Sequence, residues 1–188
     1  MLSVILAASI FAAPCKPAVK VDKAVRLAAV IVKTNPRAQP YSLRLARAII
    51  REAKRHRIPV DLLAAVAWAE SWFKSHLFGK DSEVGIWQLV PSLDYHHESW
   101  AQYVQIKYGQ TGFGDRGWGK LSKLQRAMAL NDIDAGTYMA AHLLSYHLER
   151  CGRPDATCAA RYNSGNPKIR IGYRNALKRY SRRIRRAL

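Results

Sequence analysis

Acidic side chains are scarce in this chain. Across 188 residues, 13 Asp and Glu stand against 31 Lys and Arg, a formal charge of +18. That imbalance implies an anionic partner or surface: nucleic acid, acidic lipid or an acidic polymer. Cysteine is nearly missing too, with only Cys15, Cys151 and Cys158. The Cys151/Cys158 spacing is not one that holds zinc, and no His pattern accompanies it. His96 and His97 precede Glu98 without forming a His-Glu-x-x-His motif, so no metal is assigned. The Gly-rich stretch Tyr108–Lys120 lacks the Gly-Lys-Ser/Thr ending of a phosphate loop, because Leu121 follows Lys120. No cofactor is expected. The charge-free apolar run Met1–Pro14 falls short of the ~20 residues that a membrane-spanning helix needs.

What is present divides the chain unevenly. Its length suits one domain with a sizeable core. Residues 1–14 fit the apolar part of a secretory signal, with small residues at Ala12-Ala13 but no preceding Lys or Arg. Residues 15–40 read as a basic linker or extension, in which Val21–Val32 can form a short helix. The domain itself is placed at 41–177, and 178–188 reads as a basic C-terminal tail. Lys168 to Leu188 carries nine Lys and Arg and no acid. Tyr173, Leu177, Tyr180 and Ile184 also give it an apolar stripe, so a helix lying on the domain is the other reading. Cys151 and Cys158 flank a Gly-Arg-Pro-Asp loop. They either close a small disulfide in an oxidising compartment or stay as two thiols.

Leu43, Ala46, Ile49, Ile50 and Ala53 describe an amphipathic helix with Ser42 as its N-cap, and the arginines at 44, 47, 51 and 55 lie off that stripe. A second helix follows Pro59 and Asp61. Its stripe of Leu63, Val66 and Ala67 runs into Glu70 and Phe73. A carboxylate where a core residue belongs has its pKa raised by desolvation. General-acid cleavage of a glycosidic bond needs such an acid, protonated near neutrality. Alternatively, Glu70 lies at the stripe edge and reaches water. Leu121–Glu149 reads as two helices or one broken one, and Gly136 within it suggests close backbone packing.

Four short motifs occur in order: Glu70-Ser71, Gly85-Ile86-Trp87-Gln88, Asp132-Ile133-Asp134-Ala135-Gly136 and Tyr162-Asn163-Ser164-Gly165. Together they resemble the lytic transglycosylases of the soluble-lysozyme-like (SLT) class. Those enzymes carry Glu-Ser, Gly-Leu-Met-Gln, Asn-Ile-x-x-Gly and Ala-Tyr-Asn-Ala-Gly. The resemblance covers roughly Pro59 to Tyr173. It implies an all-α, lysozyme-like domain with at most a small β-element before Gly85. It also implies cleavage of the β-1,4 bond between N-acetylmuramic acid and N-acetylglucosamine in peptidoglycan, with a 1,6-anhydro product. Glu70 would be the catalytic residue, and Ser71, Gln88, Tyr162 and Asn163 would bind substrate.

Three positions depart from the family. Ile86-Trp87 replaces Leu-Met and suggests a bulkier cleft floor; Arg161 replaces Ala before Tyr162; Gly79 stands where many members carry Ser. Glu98-Ser99-Trp100 repeats Glu70-Ser71-Trp72 but has no following Gly-x-x-Gln, so Glu98 reads as a surface residue. The rival on the same fold is a goose-type-lysozyme-like hydrolase, with Asp81 or Glu83 positioning water. The rival of another class is a basic module binding nucleic acid or wall polymer. On the transglycosylase reading the partners are peptidoglycan glycan strands, with an anionic wall polymer or membrane surface met through the basic tail. No nucleic acid is expected, and the chain acts as a monomer. It is exported, to the periplasm or outside the cell, or belongs to a phage virion.

Overall fold

A computed structural model describes residues 21–80, 82–92, 96–109, 117–163 and 167–188. The reading of residues 1–14 as a signal, and those of Cys15, Asp81, Ser164 and Gly165, lie outside the described residues. The architecture is all-α, with eight helices and no sheet among the described residues. The small β-element before Gly85 amounts to two isolated antiparallel bridges, Phe78 with Val84 and Val84 with Leu89.

Helix α1, Lys23–Thr34, begins on Asp22, whose carboxylate accepts from the Ala24 amide at 2.9 Å. Leu27 and Ile31 are fully buried and α1 packs on α2 and α8. The segment is therefore part of the core, not a linker; its apolar positions at i and i+4 outweigh its basic composition. Helix α2, Ser42–Arg55, starts one residue earlier than its sequence suggests, because Tyr41 and not Ser42 holds the N-cap position. The Tyr41 hydroxyl is tied down at 2.7 Å on the Phe73 carbonyl, and Ser42 turns back to donate to Gln39. The arginine face of α2 is largely occupied. Arg51 and Arg55 bracket the buried Glu52, and Arg44 and Arg51 reach Asp134, so α2 is pinned to α6.

Helix α3, Val60–Ser71, is the central element. Leu62 to Trp68 are all buried, so it has no wet face, and the expected one-sided stripe is instead an all-round apolar surface. It stops where Trp72 and Phe73 take left-handed backbone conformations, φ 56° and 60°, and the Trp72 amide returns to the Trp68 carbonyl. That stop fixes Glu70 and Ser71 in the last turn. Helix α4 spans His96–Tyr108, and α5 spans Lys123–Asn131 behind a Ser122/Gln125 capping box. Helix α6, Ile133–Cys151, is capped by Asp132. An alanine methyl at Gly136 would lie 2.3 Å from the Leu130 carbonyl oxygen, so the tight α5–α6 junction requires glycine there.

Cys151 and Cys158 form a disulfide with Cα atoms 5.6 Å apart, closing the loop that leads into the short α7, Ala156–Ala159. Helix α8, Pro167–Ala187, runs antiparallel to α3. Tyr173 meets Glu70 at one end, and Ser181 and Arg185 meet Asp61 at the other. Leu177 and Ile184 are fully buried and Tyr180 is nearly so. Residues 178–188 are thus the second half of a core helix rather than a tail, because the apolar stripe, not the charge, sets how the segment packs. No helix among the described residues is long and apolar enough to cross a membrane.

Candidate active site

Glu70 is carried to the rim of the core by α3 and met there by two other elements. The Tyr173 hydroxyl, from α8, donates to Glu70 Oε1 at 2.5 Å. The Asn163 side chain hydrogen-bonds to the same carboxyl. Burial pushes the Glu70 pKa from 4.5 up to about 7. The bonds from Tyr173 and Asn163 pull it down, and the nearby charge of Glu83 adds to the rise. The group therefore keeps its proton to a much higher pH than an ordinary carboxyl does.

Gln88 closes the loop that follows the acid in sequence. Its backbone is left-handed, φ 48°, and its amide donates to the carbonyls of Gly85 at 2.9 Å and Leu77 at 3.3 Å. Gly85, also left-handed at φ 73°, returns its own amide to Leu77. At Gly79 a methyl would lie 2.8 Å from Gln88 Oε1 and 2.3 Å from Glu83 Oε2. The Glu83 carboxyl therefore fills the space that a side chain at position 79 would take. Glu83 is half-buried, not the freely solvated loop acid its surroundings in sequence suggest.

The remaining site residues are placed as follows. The Tyr162 hydroxyl donates to the Trp87 carbonyl at 3.0 Å, which joins the third motif to the second. Trp87 itself is 1 % exposed, and its indole donates to Thr137 at 3.1 Å. Ile86 is buried as well. The bulk of Ile86-Trp87 thus goes into the core, Trp87 against α6, not onto a cleft floor. Ser71 is 1 % exposed, and its hydroxyl donates back to the Ala67 carbonyl. Arg161 is exposed and acts electrostatically on His147. Glu98 is exposed and accepts from Gln102 one turn on.

Tyr173 is a residue of this candidate site that the sequence does not single out. It was legible only as a member of the α8 stripe, and nothing in its local sequence marks it as the partner of an acid 103 positions earlier. A second feature without a sequence signal is a cavity of about 470 Å³ bounded by His96, His97, His142, His147, Tyr146 and Tyr162. Among the described residues, no group of three or more His, Cys, Asp or Glu is arranged to hold a metal ion.

Residues 47–109 match the family model described as Transglycosylase SLT domain. The matched segment contains Glu70, Ser71, Gly85 and Gln88 and ends with α4; Tyr162, Asn163 and Tyr173 lie beyond it. No curated protein and no solved structure was found to match the chain.

Proposed function

From the transglycosylase SLT domain that this chain carries, an all-helical domain of the lysozyme-like fold, we propose that it is a peptidoglycan lytic transglycosylase. It cleaves the β-1,4 bond between N-acetylmuramic acid and N-acetylglucosamine and leaves a 1,6-anhydro end. The observation that carries this reading is Glu70: an acid at the end of a fully buried helix, with a pKa of about 7 and two hydrogen-bond partners that fix its orientation.

Protonated Glu70 gives its proton to the glycosidic oxygen as the bond to C1 breaks and positive charge develops on the ring. The resulting carboxylate takes the proton of the muramic C6 hydroxyl, whose oxygen closes onto C1. The proton is thereby returned to Glu70, and no water is consumed. An attacking hydroxyl already on the same ring needs orientation more than activation, so one carboxyl can serve both steps. Tyr173 and Asn163 hold the carboxyl through the exchange, and Gln88, Tyr162 and Ser71 support the surrounding walls. The disulfide supports export to an oxidising compartment, periplasmic or extracellular, or carriage on a virion.

One observation favours a second reading. Glu83 lies close enough to Glu70 to raise its pKa, so it could activate a water and make the enzyme a hydrolase. The products decide. Digestion of purified peptidoglycan by the full chain should release muropeptides one water lighter than reducing ends, and Glu70→Gln should lose orders of magnitude in rate. Reducing-end products that vanish in Glu83→Gln would establish the hydrolase. Binding to the wall polymer without any lysis would leave only a binding module.

A further inference from the structure

A groove of about 320 Å³ lies between α8 and the Pro154–Thr157 segment, with Pro59 and Leu62 beneath it. It sits at the opposite end of the α3–α8 pair from the acid. Asp61, which α8 engages there, precedes Glu70 by nine residues, about 13 Å along the helix. Three cations line the groove: Lys178, Arg182 and Arg185. They follow one another at about one-turn spacing along a single side of α8.

Two acids lie near this groove, and one of them, Asp61, holds Arg185. Asp155 accepts from the Thr157 and Cys158 amides at 2.8 and 3.0 Å and so caps α7. It also has Arg153 at 3.7 Å and feels the charge of Lys178. Asp61 accepts from Ser181 and from Arg185. Neither Lys178 nor Arg182 forms an ion pair among the described residues, and both are exposed. One wall is the segment closed by the Cys151–Cys158 bond and the other is a core helix. The positive charge therefore lines a concave surface with two fixed walls, rather than being spread over a mobile tail.

We propose that this groove is a second binding site, separate from the Glu70 site, for the phosphates of a linear phosphodiester polymer with small polyol repeats. Cations at one-turn spacing suit an extended polyanion whose charges recur along its length, and Arg182 presents a planar fork that matches phosphate oxygens. The chemistry beneath the cations selects among polyanions. Single-stranded nucleic acid is held by aromatic platforms as well as charge, and here Pro59, Leu62, Pro154 and Ala156 offer no ring. A bilayer surface is met by a helix that inserts apolar side chains. The exposed face of α8 from Lys178 to Arg186 carries Lys178, Arg179, Arg182, Arg183, Arg185 and Arg186 and no exposed apolar residue. A thin, flexible, uniformly charged chain fits both facts.

The test compares two charge reversals of equal size in the full chain carrying Glu70→Gln, with poly(glycerol phosphate) as probe and affinity read by calorimetry at low salt. Lys178→Glu with Arg182→Glu alters the groove; Arg179→Glu with Arg183→Glu alters the other side of the same helix. The groove pair should weaken binding about tenfold or more beyond the control pair and flatten the dependence of log K on log salt by about one to two. Thermal melts check that both variants fold. Should the groove pair fail to fold, Lys178→Gln with Arg182→Gln takes its place, against Arg179→Gln with Arg183→Gln. Equal losses in groove and control pairs would show bulk charge attraction and overturn the site. Tighter binding of an oligothymidylate, or of phosphatidylglycerol vesicles, than of the polymer would overturn the ligand assignment. Because affinity is read without cleavage, these outcomes are independent of whether Glu70 performs the reaction proposed above.

Discussion

The Tyr180 ring lies flat on the Trp68 indole, with centroids 4.5 Å apart and planes within 4° of parallel. Trp72 meets the edge of the same tyrosine, and Trp68 stands two residues before Glu70. The most basic part of the chain is thus held against its most apolar helix. Tyr180→Ala should cost about 3 kcal/mol, through lost burial and lost ring contact. A fall in melting temperature of several degrees, read by circular dichroism, checks this. A chain ending after Lys178 should lose activity on soluble and insoluble substrates equally.

The raised pKa of Glu70 makes stability depend on pH in a defined direction. Below the unfolded value of 4.5 both states carry the proton and folding bears no penalty. Between 4.5 and about 7 the unfolded chain ionises while the folded one keeps its proton, so stability falls as pH rises. Above about 7 the penalty is complete, on the order of 3 kcal/mol. Glu70→Gln removes the titration but keeps an oxygen for Tyr173. It should be more stable than the parent well above pH 7 and equal to it below pH 4.5, as urea unfolding at the two extremes would show.

Tyr173→Phe should act on the acid, not on the fold. The hydroxyl favours the ionised carboxylate, so its removal raises the Glu70 pKa further. The alkaline limb of the rate profile, expected near pH 7 in the parent, should move upward, while the maximal rate falls about tenfold because the carboxyl is less firmly oriented. A variant with its limb unmoved would show that Tyr173 only packs.

Gly136→Ala places a methyl against backbone that has little room to move. With the Leu130 oxygen at 2.3 Å and Trp87 Cδ1 at 3.5 Å, α5 and α6 must separate. A loss of about 2 kcal/mol is expected, measured by thermal melting. Activity should survive in the folded fraction, because Trp87 meets the site through its carbonyl bond to Tyr162 rather than through its side chain.

Gly136 also shows what sequence can reveal about this fold. A glycine interrupting a helical apolar pattern points to backbone approach, and that is what the α5–α6 junction requires. The starts of α2 and α3 were legible to within a residue or so, since spacing and helix-start signals agree there. That α1 and the second half of α8 belong to the core was not. Residues 178–188 carry six basic side chains, and α1 lies in a stretch, 15–40, that mixes Lys and Arg with Pro, so composition pointed away from the core. Glu70 stood out because a carboxyl interrupts an apolar run, whereas Tyr173 differs in nothing from an ordinary core tyrosine until α8 is laid beside α3. The Glu83 carboxyl could not have been placed from sequence either. Its position depends on the absence of a side chain at Gly79 and on the left-handed turn at Gln88.

A helix buried on every side has no low-cost way to shift. To rotate or slide, α3 would have to repack α2, α7 and α8 together. Its amides should therefore be among the last in the protein to exchange with solvent. The carboxyl at its end inherits that stillness: the direction in which Glu70 points is set by the core and by its bond to Tyr173.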